Sequence, residues 1–116
     1  MSYIYLGCPY SHHSAAVRAL RFQMVNEFAA RLMSQGQRIF SPISHTHPIA
    51  AYLDDAFLMD HDFWMHQDLN ILSLAEKLLV LRLPGWESSR GLKTEIEHAT
   101  AHNIPVEYAD YAPHHP

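Results

Sequence analysis

Two carboxylates in this 116-residue sequence fall where chemistry is possible: Asp68, in His66-Gln67-Asp68-Leu69-Asn70, and Glu95, four residues after Gly91. Glu95 follows Ser88, Ser89 and Gly91, within the first turn or two of a helical stretch. The positive end of a helix dipole favours an ionised carboxylate there. A fixed, ionised carboxylate is what attack on a sugar anomeric carbon requires. Asp68 supplies a second carboxyl, able to protonate a departing base if burial or Glu95 raises its pKa. Ser88 and Ser89, with free backbone N–H groups at the helix start, suit a phosphate. Each residue also has a plainer reading. Acids occupy first helical turns for stability alone, helix carboxylates are mostly solvated, and serine is a leading N-cap. Glu97 points away from Glu95 and reads as solvated, whereas Ala99 shares the Glu95 face one turn on.

Other side chains carry weaker signals. Asn70 can orient a substrate or cap something locally. His45 and His47 face one side if their segment is extended, and with Asp54, Asp60 or His61 they can be assembled into a metal site. The sequence holds neither HExxH nor a CxxC pair, and pocket-wall hydrogen bonding, from His45 above all, is the stronger reading. Cys8 follows a strand, but Pro9 offers no N–H for an oxyanion hole, and free cysteine is commonly a small buried hydrophobe. Trp64 and Trp86 suit either a core or a stacked base, with Trp86, in a loop, the better ligand candidate. Without a Gly-rich P-loop or a GxGxxG, nucleoside triphosphate and dinucleotide binding are disfavoured. The chemistry outlined needs no cofactor and no metal.

These residues need elements to position them. Residues 2–6 are β-branched and aromatic enough for a first strand, broken by Gly7 and Pro9. Ser11 or Ser14 then caps a helix over about 13–34, whose apolar stripe is Val17, Leu20, Val25, Phe28 and Leu32, widened by Phe22 and Ala29. Gly36 ends it. A short strand follows over 38–40. Residues 41–55, with two prolines, read as an irregular lid or pocket wall. Asp60 or Asp62 caps a helix reaching about residue 74. Residues 78–83 form a nearly continuous apolar run, as expected of a strand covered on both faces. A helix over 91–102 and a strand over 105–108 complete the series, and the last eight residues read as a loose tail or an oligomer contact. This alternation predicts a parallel sheet with right-handed crossovers. The expected fold is one α/β domain over 1–116, a flavodoxin-like or Rossmann-like three-layer sandwich with strand order 2-1-3-4. Such sheets bind ligands beyond the carboxyl ends of their strands.

Composition narrows the partners. With 48% hydrophobic residues the chain can bury a core. A formal net charge of −4 and eight scattered basic residues argue against gripping a nucleic-acid polymer. A single cysteine, no apparent signal peptide and no apolar run near the roughly 20 residues of a membrane span point to a cytoplasmic protein with no membrane partner. A domain this small gains from oligomerisation.

Taken in order, these residues resemble the nucleoside 2-deoxyribosyltransferase superfamily. Tyr3-Ile4-Tyr5-Leu6-Gly7 looks like its first strand, with Tyr5 at the position of a tyrosine near the sugar. Asp68-Leu69-Asn70 looks like its DLN segment, whose aspartate does acid/base chemistry on the base. Gly91, Glu95 and Ala99 match its G-x-x-x-E-x-x-x-A helix start, whose glutamate is the nucleophile. The loop is similar to that of the deoxyribonucleoside 5′-monophosphate N-glycosidases, where S-x-G-x-x-x-E corresponds to Ser89-Arg90-Gly91-Leu92-Lys93-Thr94-Glu95. That resemblance implies a 5′-phosphate on Ser89. A group of small bacterial proteins in the superfamily, of unestablished activity, shares the YLGCPYSH-like start, the SPISHTHPIA-like segment and the LPGWESSRG-like loop. The first loop departs from the glycosidases, carrying Cys8, Pro9, Tyr10 and Ser11 where they have a partly basic phosphate loop. The resemblance implies a small-molecule nucleoside or nucleotide substrate and a catalytic set of Glu95, Asp68 and Tyr5. Substrate contacts are expected from Ser89, Ser88, Gly91, Gly7, Asn70, His45 and Trp86. It also implies a homo-oligomer, dimer or tetramer, because relatives complete the pocket from a neighbouring subunit.

Overall fold

The computed structural model describes residues 2–112. Four parallel strands form one sheet in the order β2-β1-β3-β4, the order expected from the sequence. The strands are β1 (Ile4–Gly7), β2 (Ile39–Phe40), β3 (Lys77–Arg82) and β4 (Val106–Asp110). The helices are α1 (Ala15–Ser34), α2 (Pro42–Ala50), α3 (Asp55–Leu58), α4 (His61–Ser73) and α5 (Arg90–Ala101), with a 3₁₀ turn at Trp86–Ser88. The arrangement is a three-layer, Rossmann-like α/β sandwich.

Alternation along the central strands sorts the core. On one face Ile4, Leu6, Leu79 and Leu81 pack with Val25, Phe28 and Ala29 of α1 and Ile43 of α2. On the other face Tyr5, Leu78 and Val80 pack with Leu72 of α4 and Leu92 and Ala99 of α5. The period of two that sends neighbouring side chains to opposite faces thus builds both layers. The register sets Tyr5 beside Phe40 and Leu78, in the middle of the sheet.

Four helices begin with a side-chain cap. Ser14 accepts from the Val17 N–H, Ser41 from Ser44, Asp60 from Phe63 and Ser89 from Leu92, at 3.1–3.3 Å. These bonds satisfy N–H groups that the first turn leaves free. They also settle two open choices, Ser14 over Ser11 and Asp60 over Asp62.

The structure corrects the irregular reading of residues 41–55, most of which are helical. Pro42 occupies the first helical position, where its fixed φ is favourable and its missing N–H costs nothing. Pro48 comes late enough to remove a single ladder bond. Leu20 does not join the buried stripe of α1, being 54% exposed. The end of the chain is not loose as far as Ala112. Tyr111 donates to Glu27 at 2.6 Å, and Arg31 donates to the Ala112 carbonyl at 2.9 Å. The rest of the expected tail, 113–116, lies outside the described residues. No helix among those residues is long and apolar enough to cross a membrane.

Leu6→Ala, at a fully buried strand position, is expected to cost about 2–5 kcal/mol in urea unfolding. Leu20→Ala is expected to stay within about 0.5 kcal/mol. Equal losses would contradict this placement of the α1 face.

Candidate functional site

A cleft opens over the carboxyl ends of β1 and β3, with about 520 Å³ of empty space. The loop after β1 contributes Cys8, Tyr10 and Ser11. Pro42, Ile43 and Thr46 of α2 form one wall, and Trp64, Met65 and Asp68 of α4 another. Ser89, Gly91, Leu92 and Glu95 close it from the start of α5. No lysine, arginine or histidine lines it among the described residues.

Its floor is a buried polar contact. Tyr5 is fully buried, and its hydroxyl donates to Oε2 of Glu95, itself 5% exposed. Both depend on Gly7, two residues along β1. A Cβ there would lie 3.2 Å from Leu78 Cδ1 and Leu92 Cδ1, and 3.4 Å from Glu95 Oε1. Gly7 does not line the cleft; it leaves the room in which the carboxyl sits. Helix α5 aims Glu95 inward because Leu92, Glu95 and Ala99 share its buried face.

Burial sets the charge state. It pushes the Glu95 carboxyl up to about 8, helped by the nearby Asp68 charge and opposed by the Tyr5 hydrogen bond. It also pushes Asp68, 9% exposed, up to about 7. These shifts overturn the expectation that the α5 dipole keeps Glu95 ionised. Glu95 is the sixth residue of α5, and the dipole's influence fades within the first turn. Desolvation prevails instead. The plainer reading of Asp68 as a solvated helix carboxylate also fails. The two carboxyls therefore lose their protons from about neutral pH upward, Glu95 holding its proton the longer. The Tyr5 phenol, raised by burial and by Glu95, stays protonated and keeps donating. Burial raises the Cys8 thiol far out of the thiolate range, which leaves it a poor nucleophile.

The remaining candidates divide. Ser89 lines the cleft while its oxygen caps α5, which leaves its proton for a ligand. Gly91 also lines the cleft, and a Cβ there would approach Met65 Cε only to 3.6 Å. Ser88 is exposed and donates to the Gly85 carbonyl at 3.1 Å. Asn70 is exposed on α4, because a position two residues from an inward-facing Asp68 points away from the cleft. His45 is exposed on α2, since the segment that would have faced it inward is helical rather than extended. Trp86 lies on a separate groove with Lys93 and Ile96 and packs on Tyr108 at 5.9 Å. Trp64 is the tryptophan that reaches the cleft, held by its Nε1 donating to the Leu58 carbonyl at 3.2 Å.

Sequence reasoning missed Tyr10, Ser11 and Met65 as cleft residues, whereas the pocket wall expected of 41–55 is present at Pro42, Ile43 and Thr46. A capping serine followed by proline would have marked α2 as a helix, and with it the shared face of Pro42, Ile43 and Thr46. His47 is engaged with Tyr10 at 2.5 Å and stacks on Phe22 at 4.2 Å. No three His, Cys, Asp or Glu side chains among the described residues gather as metal ligands.

Fold and site together define a parallel α/β domain with a paired-carboxyl cleft at the carboxyl edge of its sheet. The chain belongs to the family described as a domain of unknown function (DUF1937), which it matches over residues 2–110. No curated protein matches it.

The buried carboxyls tie stability to pH. Below the ordinary carboxyl range, folded and unfolded chains both hold these protons. From there to about 8 the folded chain keeps protons that the unfolded chain has released, so stability falls as pH rises through that window. Glu95→Gln preserves an acceptor for Tyr5 and removes much of this dependence. Thermal melts are expected to show the variant more stable than wild type at pH 8, the two converging below about pH 4. Parallel profiles would contradict a proton held on Glu95.

Proposed function

We propose that the protein is an N-glycosyl enzyme acting on a nucleoside or nucleoside 5′-monophosphate, with Glu95 as nucleophile. The observation that carries this reading is the convergence of Tyr5, Glu95 and Asp68, three residues matched to the deoxyribosyltransferase superfamily, in one desolvated cleft. Strongly shifted titratable groups in a cleft are the usual mark of acid/base work.

In the proposed reaction a Glu95 carboxylate oxygen attacks C1′ as the bond from C1′ to the base nitrogen breaks. The reactive form is the minority arrangement of the one-proton pair, with the proton on Asp68 and not on Glu95, whose pKa is the higher; from it the Asp68 carboxylic acid gives its proton to the leaving base. Water then attacks C1′ of the glycosyl ester and returns a proton to Asp68, or a second base accepts the sugar. Two displacements retain the anomeric configuration. Tyr5 holds the Glu95 carboxyl in place and stabilises its ionised form. Trp64, Met65 and Ile43 offer an apolar wall for the base, and the hydroxyls of Ser11, Thr46 and Ser89 suit the sugar and any 5′ substituent. The reading includes a small-molecule substrate and a homo-oligomer. The exposed Tyr52, Phe57 and Met59, in and around α3, favour contact between copies.

Chromatography of nucleosides and their 5′-monophosphates after incubation tests the proposal. Wild type is expected to release free base. Glu95→Ala should lose activity by about 10³-fold or more, and Asp68→Asn by about 10²–10⁴-fold with the natural leaving group. A folded Glu95→Ala variant with full activity would refute the assignment. Base left intact by wild type, with or without an acceptor base, would leave a binding module instead.

Activity should also follow the shared proton. The pair works with one proton on it, so kcat/KM rises as the first is lost and falls as the second is lost. The two limbs are expected near about 7 and about 8. An ascending limb near pH 4 would place the working carboxyl outside this pair.

A further inference from the structure

Arg21, on the second turn of α1, takes no part in the chemistry above and meets no carboxylate among the ion pairs of the described residues. Its guanidinium reaches three backbone carbonyls instead. Nη1 donates to Tyr10 and to Ser11, each at 3.2 Å, and Nη2 donates to Pro84 at 3.2 Å. No turn or loop backbone N–H bonds to any of these carbonyls among the described residues. Tyr10 and Ser11 belong to the loop after β1 and line the cleft. Pro84 lies in the loop after β3, which leads through Gly85 and the 3₁₀ turn to Ser89. One side chain therefore bridges the two loops that carry opposite parts of the cleft lining.

A second observation lies on the far loop. Gly85 holds φ +90°, and a Cβ built there would fall 2.8 Å from Arg21 Nη2. The absence of a side chain at Gly85 is what lets the guanidinium reach the Pro84 carbonyl. The chemistry also singles out arginine. Its planar fork carries five donors and holds several acceptors at fixed angles, whereas a lysine ammonium is a compact point charge. Bonds from a charged donor are roughly twice as strong as neutral ones.

We propose that Arg21 is a positioning residue of the cleft: its guanidinium clips the Tyr10–Ser11 loop to the Pro84–Gly85 loop and so fixes how far apart the Ser11 and Ser89 sides stand. Arg21 acts through the loops and need not touch a ligand. The effect on substrate handling rests on the glycosyl-enzyme reading, but the clip itself does not.

Backbone ¹⁵N relaxation on the full chain tests the clip without any ligand. In wild type the Tyr10, Ser11 and Gly85 amides are expected to show order parameters near ~0.85, falling below ~0.6 in both loops of Arg21→Gln. Arg21→Lys should resemble Arg21→Gln, because charge without the fork does not bridge. Gly85→Ala displaces the guanidinium from the far side and should loosen Tyr10 and Ser11, which it does not otherwise meet. The Arg21→Gln/Gly85→Ala double variant should loosen them no further. The proposal is overturned if Gly85→Ala leaves Tyr10 and Ser11 rigid, if Arg21→Lys keeps the wild-type values, or if the two changes add. Should Arg21→Gln not fold, Arg21→Lys decides, because Gly85→Ala also strains a backbone held at φ +90°. If base release is observed, Arg21→Lys is expected to raise KM about tenfold with kcat within about threefold of wild type. A loss confined to kcat would overturn the positioning role, whereas a failed search for base release bears only on the glycosyl-enzyme reading.

Discussion

A phenol and a carboxyl meet where water hardly reaches, and the rest of the cleft depends on that contact. Tyr5 sits in a central strand of the sheet with nothing of its side chain exposed, and among the described residues its hydroxyl bonds to Glu95. Losing either partner would leave a buried polar group unsatisfied, at a cost of about 1–3 kcal/mol. The bond therefore fixes where α5 can sit against β1. It also fixes the carboxyl in a site whose desolvation raises its pKa. The same burial that threatens stability above neutral pH creates a carboxyl able to change charge near it. Among the described residues every fully buried side-chain polar atom has a partner, so the strain of this arrangement lies in charge and not in missing hydrogen bonds.

The scaffold meets the constraint with small local devices. Gly7 ends β1 without a side chain, and the vacated space holds the Glu95 carboxyl against Leu78 and Leu92. Caps at Ser14, Ser41, Asp60 and Ser89 start helices close to the cleft. The caps of α2, α4 and α5 place first turns whose Pro42, Ile43, Trp64, Gly91 and Leu92 reach the opening, and Ser89 serves as cap and lining at once. On α5 the face that packs the core, Leu92 and Ala99, also carries Glu95. Core packing and the site thus share one helix orientation, and a shift in one would move the other.

Much of this was legible in the sequence. The apolar runs, their spacing and the alternation of strands with helices led to the parallel sheet and its strand order. Glu95, Asp68 and Tyr5 could be singled out by motif resemblance, and the structure brings all three together. What failed had identifiable causes. Two prolines masked α2, because proline at a first helical position reads like a breaker unless the capping serine before it is weighed. Treating residues 45–47 as extended then aimed His45 inward when the helix turns it outward. Trp86 was preferred to Trp64 because it lies in a loop, yet the 3₁₀ turn packs it on Tyr108 while α4 carries Trp64 to the cleft. The ionisation of Glu95 was judged from its distance to a helix start, a local property. Its burial depends on Tyr5 and Asp68, far away in sequence, and no local pattern carries that information.

The most direct test of a buried, proton-sharing Glu95 is ¹³C NMR titration of its side-chain carboxyl. In wild type the carboxyl carbon is expected to titrate near about 8. Asp68→Asn should move it down by removing a neighbouring charge, and Tyr5→Phe should move it up by removing the hydrogen bond that favours the anion. A titration in the ordinary glutamate range, unmoved by either substitution, would contradict the coupling of Tyr5, Glu95 and Asp68 on which the cleft's proposed chemistry depends.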